Sequence, residues 1–70
     1  MSRGQADAAI AMLQDLLARK PDYEAAYITV AKIHFSAGRS KEGVAALERL
    51  LQRNPNNAVA LELLRQWKGR

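Results

Sequence analysis

The stretch RKPDYEAAY, residues 19–27, returns in altered form as RNPNNAVAL, residues 53–61. In both stretches an arginine stands two positions before a proline, and an apolar segment that contains alanine follows. A proline inside a helix removes a backbone donor and clashes with the preceding turn, so each stretch predicts a joint between two helices. The prolines, Pro21 and Pro55, stand 34 positions apart. This spacing predicts a structural unit that occurs more than once.

The rest of the chain divides into four amphipathic segments. Their apolar residues recur at spacings of three and four, which places them on one face of a helix. The predicted helices span residues 7–20, 23–37, 41–53 and a segment that begins near 57. Because the connections are short, successive helices should lie antiparallel. Asp22 and Ser40 are predicted to cap the starts of two helices, and Gly38 is predicted to end one.

The offset of 34 also relates residues on both sides of the prolines. The pairs at this offset are Gly4 with Gly38, Leu13 with Leu47, Leu16 with Leu50, Leu17 with Leu51, and Ala26 with Ala60. An offset that keeps glycine, proline and the apolar stripe together indicates a helix–turn–helix repeat, whose units bury their faces on each other.

With this period and these residues the chain resembles a tetratricopeptide repeat (TPR) protein, and residues 24–57 match one complete unit. The early aromatic residue of the family's first helix is matched by Tyr27, and the small residue that follows is matched by Ala31. The turn glycine of the family is matched by Gly38, and its closing proline by Pro55. The resemblance covers nearly the whole chain, as half a unit, one unit and half a unit.

Three positions depart from the family pattern, because His34, Gly43 and Leu50 stand where the family prefers tyrosine, alanine and alanine. We interpret Gly43 as a position where the second and third helices approach closely. The resemblance implies an all-α fold of four antiparallel helices, a fragment of a right-handed superhelix. The implied single domain, residues 1–70, comprises the second helix of a partial unit (4–23), a complete unit (24–57) and a C-terminal capping helix (58–70).

The two outer helices differ in whether a further helix is expected to pack on them. In the last helix Arg65 stands where the complete unit has Ala31, and burying an unpaired arginine is costly. We therefore expect no further helix to pack there. In the first helix Ala9, Leu13 and Leu16 occupy the face that would pack on a preceding helix. This face is expected to dock onto the rest of a longer TPR array, to form a homodimer, or to be covered by a shift of the first helix itself.

The chain has 11 basic and 7 acidic residues, a formal net charge of +4. Many of the basic residues fall in or just after the last turns of predicted helices, where cations offset the helix dipole. No basic run alternates with aromatic residues, so nucleic-acid binding is not predicted. RNA binding by a helical repeat is a separate hypothesis, which requires an affinity for RNA that falls steeply with salt concentration. No apolar run approaches the roughly 18 residues of a membrane span, and we expect a soluble protein, with the cytoplasm favoured.

The side chains offer no recognisable catalytic or metal-binding set. The chain has no cysteine, and its one histidine, His34, has no second histidine and no carboxylate pair beside it. We interpret His34 as a packed or half-buried residue, and Met12 as a gap-filling or partly exposed one. No glycine-rich phosphate loop follows a strand. We therefore predict no enzyme, no metal and no cofactor.

The resemblance implies a binding surface instead, since first helices of successive TPR units line a concave groove that holds a peptide. The residues expected to face it are Ala25, Ile28, Thr29, Lys32, Phe35 and Ser36 from helix two, and Val59, Glu62, Leu63 and Gln66 from helix four. Ile28, Phe35, Val59 and Leu63 are expected to be exposed, and clustered apolar surface usually marks a partner. A shallow patch without a dedicated ligand is the alternative.

Family members that bind the C-terminal carboxylates of chaperones use Lys, Asn and Arg side chains in this groove. At the aligned positions Lys32 is the only cation of this chain, so no chaperone binding of this kind is expected. We predict a protein–protein interaction module that binds an apolar or amphipathic segment of a partner.

Overall fold

A computed structural model describes residues 3–68 of the chain. It contains four helices, α1 (Arg3–Arg19), α2 (Glu24–Ser36), α3 (Ser40–Arg53) and α4 (Ala58–Lys68). Residues 3–68 contain no strand, and the predicted all-α class and helix order are confirmed. The predicted domain and its capping helix extend to residue 70, so their outermost positions, 1–2 and 69–70, lie outside the described residues.

The first helix is longer than predicted, because it begins at Arg3 and not near residue 7. Gly4 lies inside this helix, whereas Gly38 has a positive φ of 81°. The two glycines are related by the repeat, but only Gly38 adopts the left-handed conformation that ends a helix. The helix-forming residues that follow Gly4 continue the helical backbone through it.

Both predicted N-caps are wrong. Tyr23 occupies the N-cap position of α2 and Arg39 that of α3, and neither makes a capping hydrogen bond through its side chain. Asp22 lies exposed before Tyr23, and Ser40 is the first residue of α3. The first turn of α2 is closed by backbone atoms instead, since the Ala26 N–H donates to the Tyr23 carbonyl at 3.2 Å.

The end of α2 at Gly38 is confirmed, and it has the geometry of a Schellman motif. The Gly38 N–H donates to the Phe35 carbonyl at 3.1 Å, and the Arg39 N–H donates to the His34 carbonyl at 2.8 Å. The turn directs the Arg39 side chain toward α1, where its guanidinium lies 2.7 Å from the Asp7 carboxylate. The connection between α2 and α3 is therefore also held to α1.

The core lies between successive helices, since α1 packs on α2, α2 on α3, and α3 on α4. The result is a slab of 32 × 31 × 13 Å. Alanines make up half of the buried apolar residues, which lets the helices approach closely. These buried residues are Ala6, Ile10, Ala26, Tyr27, Val30, Ala31, Ala46, Leu47, Leu50 and Ala60. Leu47 and Leu50 of α3 are the largest fully buried side chains of the described chain.

Helices α2 and α3 approach closely at Gly43, as interpreted from the sequence. Gly43 is buried, and a Cβ atom added to it would lie 2.9 Å from the carbonyl oxygen of Ala31. The same atom would lie 3.4 Å from the ring of Trp67 in α4. Three helices therefore meet at a position that has room only for a hydrogen atom.

The outer face of α1 is half-buried. Ala9, Leu13 and Leu16 are each of intermediate exposure, and Leu13 packs against the core. Met12 lies on the same helical stripe, one turn from Ala9 and Leu16, and is 74% exposed. Met12 is therefore more exposed than the gap-filling or partly exposed residue that was predicted.

The Gly43→Ala variant tests the close approach. The added methyl group must displace the α2 backbone, so we expect a loss of about 1–3 kcal/mol in the free energy of unfolding. This loss outweighs a gain of about 1 kcal/mol in helix propensity. Urea unfolding followed by circular dichroism measures the difference.

Gly4→Ala is the matched control, because a Cβ at Gly4 meets nothing within 4 Å. It should leave the free energy of unfolding unchanged or raise it by up to about 1 kcal/mol. A Gly43→Ala protein as stable as the Gly4→Ala protein contradicts the packing described here.

Candidate partner-binding groove

Helices α2 and α4 are linked near their C-terminal ends by two aromatic rings. Phe35 of α2 and Trp67 of α4 are stacked, with ring centroids 4.3 Å apart and planes inclined by 11°. Stacked pairs of this kind contribute about 0.5–1.5 kcal/mol beyond the area they bury. The contact fixes the last turn of α4 against the last turn of α2.

A carboxylate links the same two helices at their N-terminal ends. The Glu24 carboxylate, in the first turn of α2, accepts hydrogen bonds from the side-chain amides of Asn54, at 3.0 and 3.2 Å, and Asn57, at 2.6 Å. The Asn57 side-chain oxygen also accepts the Ala60 N–H at 2.9 Å and so caps α4. One glutamate therefore holds both the loop before α4 and the residue that starts it.

The predicted groove residues differ in exposure. Val59 is 51% exposed, whereas Ile28, Phe35 and Leu63 are half-buried, so their predicted exposure is wrong. Ile28 and Leu63 pack against the core, and Phe35 is covered by its stacked partner Trp67. The remaining predicted residues are exposed, namely Ala25, Thr29, Lys32, Ser36, Glu62 and Gln66.

The polar residues of this face are largely engaged with their own helices. The Thr29 hydroxyl donates to the Ala25 carbonyl at 2.9 Å. The Glu62 carboxylate accepts from Arg65 at 2.6 Å and from Gln66 at 3.2 Å. The hydrogen bond from Arg65, then that from Gln66 and the charge of Arg65, hold the pKa of Glu62 below its ordinary value. Glu62 therefore remains ionised to a lower pH than an isolated glutamate.

Lys32 is the cation of this face without an ion pair among residues 3–68. His34, on the same helix, is half-buried, and its Nδ1 atom has no hydrogen-bond partner in the described structure. No group of three His, Cys, Asp or Glu side chains that could hold a metal ion occurs between residues 3 and 68. Within that range, too, each helix is too short or too polar to cross a membrane.

Sequence reasoning missed the set formed by Glu24, Asn54 and Asn57. Its signal was present, because the asparagines follow the glutamate by 30 and 33 residues, close to the period of 34. Residues one period apart occupy equivalent joints of neighbouring units, so a polar group at one joint can reach the next. The Phe35–Trp67 stack was missed because Phe35 was expected to lie exposed in the groove.

The sequence model described as tetratricopeptide repeat matches residues 1–66 of the chain. The chain therefore belongs to the tetratricopeptide repeat family, as the period, the turn glycine and the prolines predicted. This family consists in general of non-catalytic repeat scaffolds that bind protein partners. No curated protein and no solved structure matches the chain.

Replacing Glu24 tests the link between α2 and the start of α4. Glu24→Ala removes the acceptor of two amide groups, and we expect it to lower the free energy of unfolding by about 1–2 kcal/mol. Glu42→Ala is the control, because Glu42 also lies in the first turn of a helix and is exposed. Both variants lose the same favourable charge at a helix N-terminus.

The difference between the two variants in chemical denaturation isolates the hydrogen bonds to Asn54 and Asn57. Equal stability of the Glu24→Ala and Glu42→Ala proteins refutes the structural role of the glutamate. Asn57→Ser, which keeps a capping oxygen but loses the amide donor, should fall between Glu24→Ala and the unmodified protein.

Proposed function

We propose that the chain is a protein-interaction module that binds an apolar or amphipathic segment of a partner across α2 and α4. The observation that carries the proposal is the exposed Val59, which shares a helical face with the half-buried Leu63 one turn away. On α2, Ile28 and Lys32 have the same one-turn relation. An apolar side chain of the partner gains about 25 cal/mol for each Å² of apolar surface that it buries there.

The ties between α2 and α4 support the same proposal. The Phe35–Trp67 stack and the Glu24 hydrogen bonds fix the two helices relative to each other before a partner arrives. A preformed surface loses less conformational freedom on binding, so more of the contact energy contributes to affinity. Lys32 leaves one unpaired charge on this face, which fits a polar or acidic residue beside the apolar one.

Peptides selected against the chain from a random display library provide the probe. Their affinities for the unmodified protein and for Val59→Glu and Leu61→Glu proteins can be compared by fluorescence anisotropy. Val59→Glu introduces a charge into the proposed surface, and we expect it to weaken binding about tenfold or more. Leu61→Glu is the matched control, because Leu61 is 46% exposed on the same helix but points to another face.

Binding that depends on Leu61 and not on Val59 contradicts the groove assignment. Both variants replace an exposed residue, so their helicity should equal that of the unmodified protein. Phe35→Glu and Leu63→Glu are less suitable, since both side chains also hold the fold together.

The proposal also covers the division of the chain into repeat units and the activities that the module lacks. Residues 4–23 act as the second helix of a partial unit, residues 24–57 as a complete unit, and residues 58–70 as a capping helix. The module acts without catalysis or cofactor and does not bind nucleic acid. It does not hold chaperone carboxylates, because Lys32 is the one cation at the aligned groove positions.

Self-association through α1, or docking of α1 onto a longer TPR array, is the second candidate function. The exposure of Met12 favours it, because Met12 extends the predicted face of Ala9, Leu13 and Leu16 along one stripe. Methionine is frequent at adaptable binding surfaces. The packing of Leu13 against the core reduces the area that a second chain can cover.

Analytical ultracentrifugation tests this candidate. A dimer through α1 predicts a sedimentation coefficient that rises with concentration, and a Met12→Glu variant that stays monomeric over the same range. Met12 is exposed, so the substitution should not change helicity. A single monomeric species of the unmodified protein at high concentration removes the homodimer.

A further inference from the structure

A cavity of about 360 Å³ lies between α1 and α3, on residues that the proposed groove does not use. Its apolar wall includes Leu17, which packs against the core, and the buried Tyr27. Its polar wall includes Gln14 of α1 and the two arginines of α3, Arg49 and Arg53. The cavity thus combines an apolar wall with guanidinium groups.

The two arginines are exposed and make no ion pair with any group in residues 3–68. They stand one helical turn apart, where two like charges destabilise a helix by a few tenths of a kcal/mol. Arg19, at the end of α1, differs from them because Asp15 neutralises it at 2.9 Å. Two unneutralised guanidinium groups beside one cavity are complementary to an anion.

We propose that this cavity is a second binding site, which takes an acidic segment of a partner protein with an apolar residue next to an aspartate or glutamate. The apolar side chain lies against Leu17 and Tyr27. The carboxylate accepts hydrogen bonds from Arg49 and Arg53, whose planar donors match its two oxygens. The Gln14 amide is a further donor at the opposite wall.

The charge of the surroundings favours a carboxylate over a phosphate group. Helices α1 and α3 both end beside the cavity, at Arg19 and Arg53. The C-terminus of a helix carries about half a negative charge. These two half charges offset one of the two arginine charges, so one carboxylate neutralises the remaining charge of about +1, whereas a doubly charged phosphate exceeds it.

The site is distinct from the α2–α4 groove, and its test is independent of that groove. The probe is a fluorescein-labelled peptide of alternating glutamate and leucine pairs, with a glutamine-for-glutamate peptide as its control. Nitrogen–proton correlation spectra of the ¹⁵N-labelled protein show which residues the peptide contacts. The fluorescence anisotropy of the peptide measures its affinity. We expect shifts at Leu17, Tyr27, Arg49 and Arg53 with the glutamate peptide and none with the glutamine peptide.

The Arg49→Gln/Arg53→Gln protein should bind the glutamate peptide about tenfold more weakly or worse. The Arg19→Gln/Lys20→Gln protein removes the same charge at the same end of the molecule but no residue of the cavity lining. It should bind within about twofold of the unmodified protein, since long-range attraction between exposed charges is screened by salt. Equal weakening by both double variants shows nonspecific charge attraction and overturns the proposal.

Two further outcomes overturn it. If Val59→Glu removes binding and the shifts fall on α2 and α4, the peptide occupies the groove and not this cavity. If a phosphoserine peptide binds the cavity more tightly than the glutamate peptide, the carboxylate assignment is wrong. If no selected peptide binds the α2–α4 groove but the glutamate peptide still shifts the resonances of the cavity residues, only the proposed function is refuted and this inference is supported.

Discussion

The contact between the Ala31 carbonyl and Gly43 is the constraint on which the rest of the structure depends. It sets the distance between α2 and α3, which share the most extensive helix–helix contact of the molecule. Because the helices approach this closely, Leu47 and Leu50 become fully buried between their neighbours. Trp67 reaches the same point from α4 and can then stack on Phe35. The absence of a side chain on Gly43 in α3 thereby determines the position of the Trp67 ring in α4.

Those parts of the fold that depend on local chemistry could be predicted from the sequence. The helix end at Gly38 and the close approach at Gly43 each follow from one residue type at one position, and the period of 34 follows from prolines, glycines and apolar residues that recur at that offset. A glycine or proline restricts the backbone whatever its neighbours do. The helix order and the all-α class follow from these restrictions together with the apolar stripe.

The parts that depend on the register between helices could not be predicted. Whether Phe35 is exposed depends on the rotation of α4, which the apolar pattern defines only to within a broad face. The caps at Asp22 and Ser40 failed for a related reason, since both residues are suitable for capping but each lies one position from the residue that occupies the N-cap, Tyr23 or Arg39. The Glu24 hydrogen bonds could be predicted only if the loop with Asn54 and Asn57 were known to lie beside the start of α2.

The helix pairs in extensive contact are the three successive ones, so the slab resembles a short linear array. In such arrays cooperativity is carried between nearest neighbours, and the outermost elements detach most readily. The face formed by α2 and α4 contains one helix, α2, that packs on two neighbours, and one helix, α4, that within residues 3–68 packs extensively only on α3. A ligand that spans both helices opposes detachment of α4 from α3, so occupancy of this face and the folding equilibrium of α4 are thermodynamically linked.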